Sequence, residues 1–319
     1  MEEIQVSVIC NAYNHEKFIR DALEGFVMQK TTFPFEVLIH DDASPDKTAD
    51  IIREYEAKFP EIIKPIYQTE NQYYKGGILR FQVPRIKGKY VAVCEGDDCW
   101  TDPLKLQKQF DAMEAHPEVD ICAHAASSVH AVTGERKSRF YTTDKVEILP
   151  VERVIEGGGG FVATASLFMR APFYSAQKEF IRFLRLDYTL QIQGALRGGM
   201  LYLPDCMCDY RVMVSGSWSD KVSKDKERKR AHLNRIKKML EVLNEETDGK
   251  YDAAIQKRIL KNEFDFALAN QDYKAVVSKE YRLCFAELPK KTQIKFIMKA
   301  RFPFLVTIKS TLRNLLRRK

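Results

Sequence analysis

Between residues 4 and 123, short β-branched apolar runs alternate with stretches whose apolar residues recur every three or four positions, the pattern of an α/β sheet covered by helices on both faces. Ile4 to Cys10 is the first run, and Asn14 is the expected N-cap of a helix turning Phe18, Ala22, Phe26 and Val27 inward. Phe35 to Ile39 ends at Asp41-Asp42. Ser44-Pro45 then reads as N-cap and first helical residue before Thr48, Ile51, Ile52 and Tyr55. Ile62 to Tyr67 is a third strand, with a short helix expected after Gly76-Gly77. Lys89 to Cys94 is continuously apolar after its lysine, so it should run through the middle of the sheet. Glu95-Gly96-Asp97-Asp98 follows it. Asp102-Pro103 should open a helix carrying Leu106, Phe110 and Met113, closed by His116-Pro117 before a strand around Val119–Ala123. Later the pattern weakens: Gly157 to Gly160 reads as a loop before a small-residue strand, Val162 to Met169, and the chain beyond Trp218 reads as charged helix.

In open α/β sheets, ligands bind beyond the carboxyl ends of strands. Three polar clusters fall there: Asn11-Ala12-Tyr13, Asp41-Asp42 and Asp97-Asp98. Taken alone, Asp41-Asp42 reads as a cap or turn former, but two acidic pairs at successive crevice positions argue for a site. Carboxylates placed after a buried strand carry a desolvation cost unless they are solvated, hydrogen-bonded or bound to a cation. Oxygen ligands select a hard ion, magnesium or manganese, which commonly bridges one or two carboxylates to substrate phosphates. No strand ends in Gly-x-Gly-x-x-Gly and no Gly-Lys-Ser/Thr occurs, which argues against a dinucleotide or P-loop site.

Three blocks in combination, Val6-Ser7-Val8-Ile9-Cys10-Asn11-Ala12-Tyr13-Asn14, Asp41-Asp42-Ala43-Ser44-Pro45-Asp46-Lys47-Thr48, and Gly88-Lys89-Tyr90 leading to Glu95-Gly96-Asp97-Asp98, resemble the family 2 glycosyltransferases. The resemblance covers about residues 4 to 218 and implies an inverting enzyme of GT-A fold, with a mixed central sheet flanked by helices. It implies that Asn11 and Tyr13 contact the nucleotide base, with Tyr13 stacking, and that Asp42 recognises a uracil ring, so that the donor is a UDP-sugar. Asp97 would contact the sugar or ribose and Asp98 would ligate Mn2+ or Mg2+, with Asp97 beside it.

An inverting transfer needs a general base on the acceptor side. Asp187, in Arg185-Leu186-Asp187-Tyr188, stands at the interval after Ala163 to Arg170 at which the family's base follows its acceptor-side segment; an aspartate capping the next helix is the competing reading. Asp209 to Ser217 is similar to a Tyr-Arg-x-His-x-x-Ser stretch of related enzymes, but Met213 replaces the histidine, leaving Arg211 or a lysine to supply positive charge. The Gln-x-x-Arg-Trp signature of processive synthases is absent, so one sugar per encounter is expected. The implied acceptor is a hydroxyl of a glycan, lipid-linked in cell-surface polysaccharide synthesis. Two alternatives stay open: a sugar nucleotidyltransferase, and a non-catalytic nucleotide-sugar-binding scaffold.

Charge divides the 319-residue chain: residues 219–319 hold 26 Lys/Arg against 13 Asp/Glu, while residues 1–218 hold 25 against 31. A catalytic body, 1–218, joined to a basic helical region, 219–319, is expected, the latter attracted to an anionic surface. From Lys290 to Lys319 there are ten Lys/Arg and no acid. Leu305, Ile308, Leu312, Leu315 and Leu316 fall on one helical face there, a membrane-interface pattern, with packing on the protein's own body as the competing reading. Nucleic acid is not expected, because no reading motif accompanies the charge. The seven cysteines form no zinc-finger spacing, and the N-terminus lacks a basic, then apolar, secretory pattern. A cytoplasmic protein, peripheral at the inner face of the membrane, is the resulting expectation.

Overall fold

The computed structural model describes residues 3–302 except 74, 76, 177, 184–186, 215–219, 221 and 223. It forms two compact units, Met1–Lys224 and Asp225–Lys319. The expected amphipathic face from Leu305 to Leu316 lies outside the described residues.

The first unit is built on one mixed ten-stranded sheet: β1 (Val6–Ala12), β2 (Phe35–Asp41), β3 (Ile63–Tyr67), β4 (Tyr90–Val93), β5 (Cys99–Trp100), β6 (Ile121–His130), β7 (Arg136–Phe140), β8 (Glu147–Leu149), β9 (Phe168–Arg170) and β10 (Met200–Val212). Its order is β3-β2-β1-β4-β9-β6-β10-β5, with β7 on β6 and β8 on β10. The first four strands are mutually parallel; β9 then runs antiparallel to both β4 and β6, and β6 and β10 are parallel again. Parallel strands buried on both faces are continuously apolar, and β4 (Tyr-Val-Ala-Val) is buried along its whole length. The helices α1 (Ile19–Val27), α2 (Thr48–Lys58), α3 (Leu79–Gln82) and α4 (Lys105–Ala115) follow β1, β2, β3 and β5. α1 turns Ala22, Leu23 and Phe26 onto the sheet, where Phe26 meets Trp100 edge to face at 5.0 Å between ring centroids.

Three local expectations are corrected. Asn14 does not cap α1, which begins at Ile19; Asn14 has a left-handed backbone (φ 60°), and its N–H donates to the Ser44 hydroxyl at 3.0 Å. Ser44 is thereby spent on a tertiary contact, and Asp46 accepts from the Thr48 N–H (3.0 Å) at the start of α2 instead. The strand expected over Val162–Met169 is a single 3-10 turn, Thr164–Ser166, followed by the short β9. A run of small residues fits either form, and here the turn lets the Ala165 carbonyl accept the Trp100 indole N–H at 2.9 Å.

The second unit is helical, opening with Lys226–Glu246 and Asp252–Ala269. Asp225 caps the first of these by accepting from the Glu227 and Arg228 N–H groups at 2.9 and 3.0 Å. Phe264, Val276 and Tyr281 form its own small core. No helix among the described residues is long and apolar enough to cross a membrane.

Lys105 is fully buried in the first unit, its ammonium 4.0 Å from the Trp100 ring centroid and donating to Gln109 Oε1 at 2.6 Å. Burial pushes it down to about 8. Between that value and the ordinary 10.5 the unfolded chain holds a proton that the native chain lacks, so stability rises with pH across this window. We predict that Lys105→Met is the more stable protein at neutral pH, by about 3 kcal/mol at most. In paired urea titrations at several pH values, the wild-type protein should close that gap as pH passes from about 8 to 10.5.

Candidate active site

The chain leaves β4 still tracking β1: the Cys94 N–H donates to the Ile9 carbonyl at 3.1 Å and the Gly96 N–H to the Asn11 carbonyl at 3.0 Å. A tight turn follows, closed by the Asp98 N–H on the Glu95 carbonyl (3.1 Å), and the chain enters β5, which pairs with β10. This path brings Glu95, Asp97 and Asp98 together at the carboxyl end of the parallel strands. Gly96 permits it, because a Cβ there would lie 2.9 Å from His15 Nδ1 and 3.2 Å from Ala12 Cβ.

Each acid is held differently. Asp98 is 1% exposed, and its Oδ1 accepts the Arg211 backbone N–H at 2.7 Å. Asp97 is part-exposed and faces His15 Nε2 at 3.9 Å. Glu95 accepts from Asn11 Nδ2 at 3.3 Å. Arg211 braces the turn a second time: its guanidinium donates to the Asp97 carbonyl at 2.8 Å, pairs with Asp21 of α1, and lies 5.1 Å from the Phe18 ring centroid.

Burial, and then the neighbouring Asp97 charge, push the Glu95 carboxyl up to about 8 and hold Asp98 well above the usual carboxylate range. The Asp187 charge also raises Glu95, so Asp187 shares the electrostatic field of the turn. Asp187 is the first residue of the helix Asp187–Ala195. Its Oδ2 accepts the Thr164 hydroxyl at 2.8 Å and its Oδ1 the Tyr188 N–H at 2.7 Å. Burial raises its carboxyl above the ordinary value, and these two donors oppose the rise.

Among the residues expected from sequence, Asn11 touches Glu95 in the turn that holds Asp97 and Asp98, while Asp187 meets that group only through its charge on Glu95. Tyr13 directly follows β1 and is 47% exposed. Asp42 differs: it is 1% exposed, and its carboxylate accepts from the backbone N–H groups of Gln72 (2.7 Å) and Tyr73 (3.1 Å), with His40 Nε2 at 3.3 Å. Oδ2 keeps a second lone pair, but at 1% exposure the Asp42 carboxylate is closed to a ligand. Met213, where the resemblance expects histidine, is exposed with φ 63°. Glu95 is the acid of this turn to which the sequence resemblance assigns no role. The signal for it was three acids within four residues after the central apolar strand. Among the described residues, no three His, Cys, Asp or Glu side chains stand close enough to hold a metal ion by themselves.

The model of glycosyl transferase family 2 matches residues 7–184, more than half of the chain, which belongs to that family. An uncharacterized protein of Mycobacterium tuberculosis is 36% identical over 214 residues, 67% of this chain and 60% of that protein. The chain therefore spans less than two thirds of the length of its mycobacterial relatives. TuaG of Bacillus subtilis, named for teichuronic acid biosynthesis, is 37% identical over 109 residues, 34% of this chain and 41% of that one. Among solved structures, residues 1–349 of S. aureus TarS give a TM-score of 0.59 at 17% identity, covering 88% of this chain and 77% of that one. The same fragment has been solved with UDP-GlcNAc. A mannosyltransferase of Pyrobaculum calidifontis, solved with GDP-Man and Mn2+, gives 0.53 at 16% identity over 99% of this chain and 88% of that one. At these identities the structural likeness is one of fold, and the fold is GT-A.

Gly96→Ala tests the turn. The added methyl displaces Asp97 from its neighbours without touching its carboxylate, and an error near 1 Å in a reacting group costs about a hundredfold in rate. We predict a loss of that order in sugar transfer, with thermal unfolding moved by only a few degrees, about the effect of 1 kcal/mol. Unchanged transfer would show that the turn does not position the site.

Proposed function

We propose that this chain is an inverting transferase that moves one sugar from a UDP-sugar to a hydroxyl of an acceptor glycan, lipid-linked, in cell-surface polysaccharide synthesis at the cytoplasmic face of the membrane. The observation that supports this reading is the tight turn that gathers Glu95, Asp97 and Asp98 at the end of the parallel strands, with Asp187 held by the Thr164 hydroxyl on the segment next to Ala165. The turn suits a cation and a diphosphate, and Asp187 suits a base.

The nucleotide is assigned to the ends of β1 and β2. Tyr13 offers its ring to the base, Asn11 its amide, and Asp42, at the base edge, exchanges a backbone N–H for the uracil N–H once its site opens. Asp97 contacts the ribose or sugar. Asp98 fits a metal through Oδ2, which accepts no hydrogen bond among the described residues, with Asp97 beside it. Because the protein offers only one or two carboxylates, the remaining ligands would be donor phosphates and water, which suits Mg2+ or Mn2+. Such an ion supplies charge that stabilises the departing diphosphate. Arg211 adds fixed positive charge to the same wall and stands in for the histidine that Met213 replaces.

On the opposite side, Asp187 accepts the proton of the attacking hydroxyl. A carboxyl raised by burial is a stronger base than a free one. Thr164 and the Tyr188 N–H fix its orientation, as the base must be aimed when the substrate arrives.

Three measurements test this. A panel of UDP-sugars with Mn2+ should give UDP release for at least one donor, abolished by chelation; binding of a different nucleotide class, with no response to any UDP-sugar, would remove the UDP assignment. Asp187→Asn should lower turnover by about a hundredfold to ten-thousandfold while leaving UDP binding in place. The rate should fall as pH drops through the Asp187 value. Thr164→Val removes a donor to the ionised form, so its acid limb should move to higher pH. An acid limb that stays in place would show that Asp187 does not control the rate.

A further inference from the structure

The helix Lys290–Arg301 buries none of its residues fully, and its two sides differ in kind. Phe296 packs toward the small core of Phe264, Val276 and Tyr281, with its ring 5.3 Å from that of Tyr273. Lys299 donates to the Tyr273 hydroxyl at 2.7 Å on the same side. The opposite side carries every exposed residue of the helix, and each is Lys, Arg, Ile or Met. Ile294, Ile297 and Met298 are 63%, 46% and 45% exposed. Lys290, Lys291, Lys295 and Arg301 surround them, and the helix contains no acid.

We propose that this face docks on an anionic phospholipid surface, with Ile294, Ile297 and Met298 entering the headgroup boundary and the four cations meeting lipid phosphates. An apolar strip flanked by basic residues binds such a surface through both terms at once. Like charge disfavours the other occupants. Residues 303–319 carry five Lys/Arg and no acid, so they would repel the face, and a second copy would bring the same four cations against it. Nucleic acid would gain only the phosphate term, since aliphatic side chains offer bases no stacking partner. The surface deepens the reading of a lipid-linked acceptor given above. Because it is scored by binding without turnover, either can fail alone.

The test is flotation of the full chain with vesicles of phosphatidylcholine alone and of phosphatidylcholine with about one third phosphatidylglycerol. Binding at least about tenfold stronger to the anionic vesicles is expected, falling about tenfold in Lys291→Glu with Lys295→Glu. Ile294→Ser with Met298→Ser should also weaken it, with thermal unfolding unchanged in both variants because all four side chains are exposed. Equal partitioning into the two vesicle types would overturn the proposal. So would full retention of binding by both variants, variants that lose self-association but not vesicle binding, or RNA binding without vesicle binding.

Discussion

Three carboxylates within four residues, at the end of a strand with no exposed face, repel one another and have little water to relieve them. That is the constraint around which the first unit is organised. Burial raises the Asp98 carboxyl well above the usual range, and the donor that opposes this comes from far away in sequence: the backbone N–H of Arg211, 113 positions on. Burial and the neighbouring Asp97 charge hold the Glu95 and Asp98 carboxyls above the usual range, the condition in which a nearby cation favours the ionised form. A site of this kind is costly for folding and useful for binding, a trade that functional sites commonly show.

The surroundings of the turn keep that geometry. β5 crosses to pair with β10, which carries Arg211 into place. Trp100 is pinned from three sides, by Phe26, by the Ala165 carbonyl and by the ammonium of Lys105. The 3-10 turn that presents Ala165 also presents the Thr164 hydroxyl to Asp187. The strand that follows the acidic turn and the proposed base are therefore both tied to the same short segment. The three acids differ in setting: Asp98 is inmost, Asp97 is part-exposed, and Glu95 faces Asn11.

Much of this was legible in the sequence for a simple reason. Parallel strands buried on both sides must be continuously apolar, so β1, β2 and β4 and the polar residues ending them stand out, and with them Asn11, Tyr13, Asp42, Asp97 and Asp98. Helix starts were less legible. Asn14 and Ser44 have capping chemistry, but the Ser44 hydroxyl accepts the Asn14 backbone N–H across 30 positions, and both Asn14 and Ala43 adopt positive φ, which no pattern of apolar spacing reports. The contact of Asp42 with the Gln72 and Tyr73 amides and the brace from Arg211 are tertiary and equally hidden. Glu95 was visible as a residue, but its importance comes from burial, which sequence gives only by inference.

The central claim is that a hydroxyl aimed by Asp187 displaces the nucleotide in one step from the side opposite the acidic turn. The most direct measurement is the anomeric configuration of the transferred sugar, read by proton NMR of the product from a donor of known configuration. Single displacement inverts that centre, so an α-linked donor gives a β-linked product; retention of the donor's configuration would contradict the geometry assigned to Asp187 and the turn.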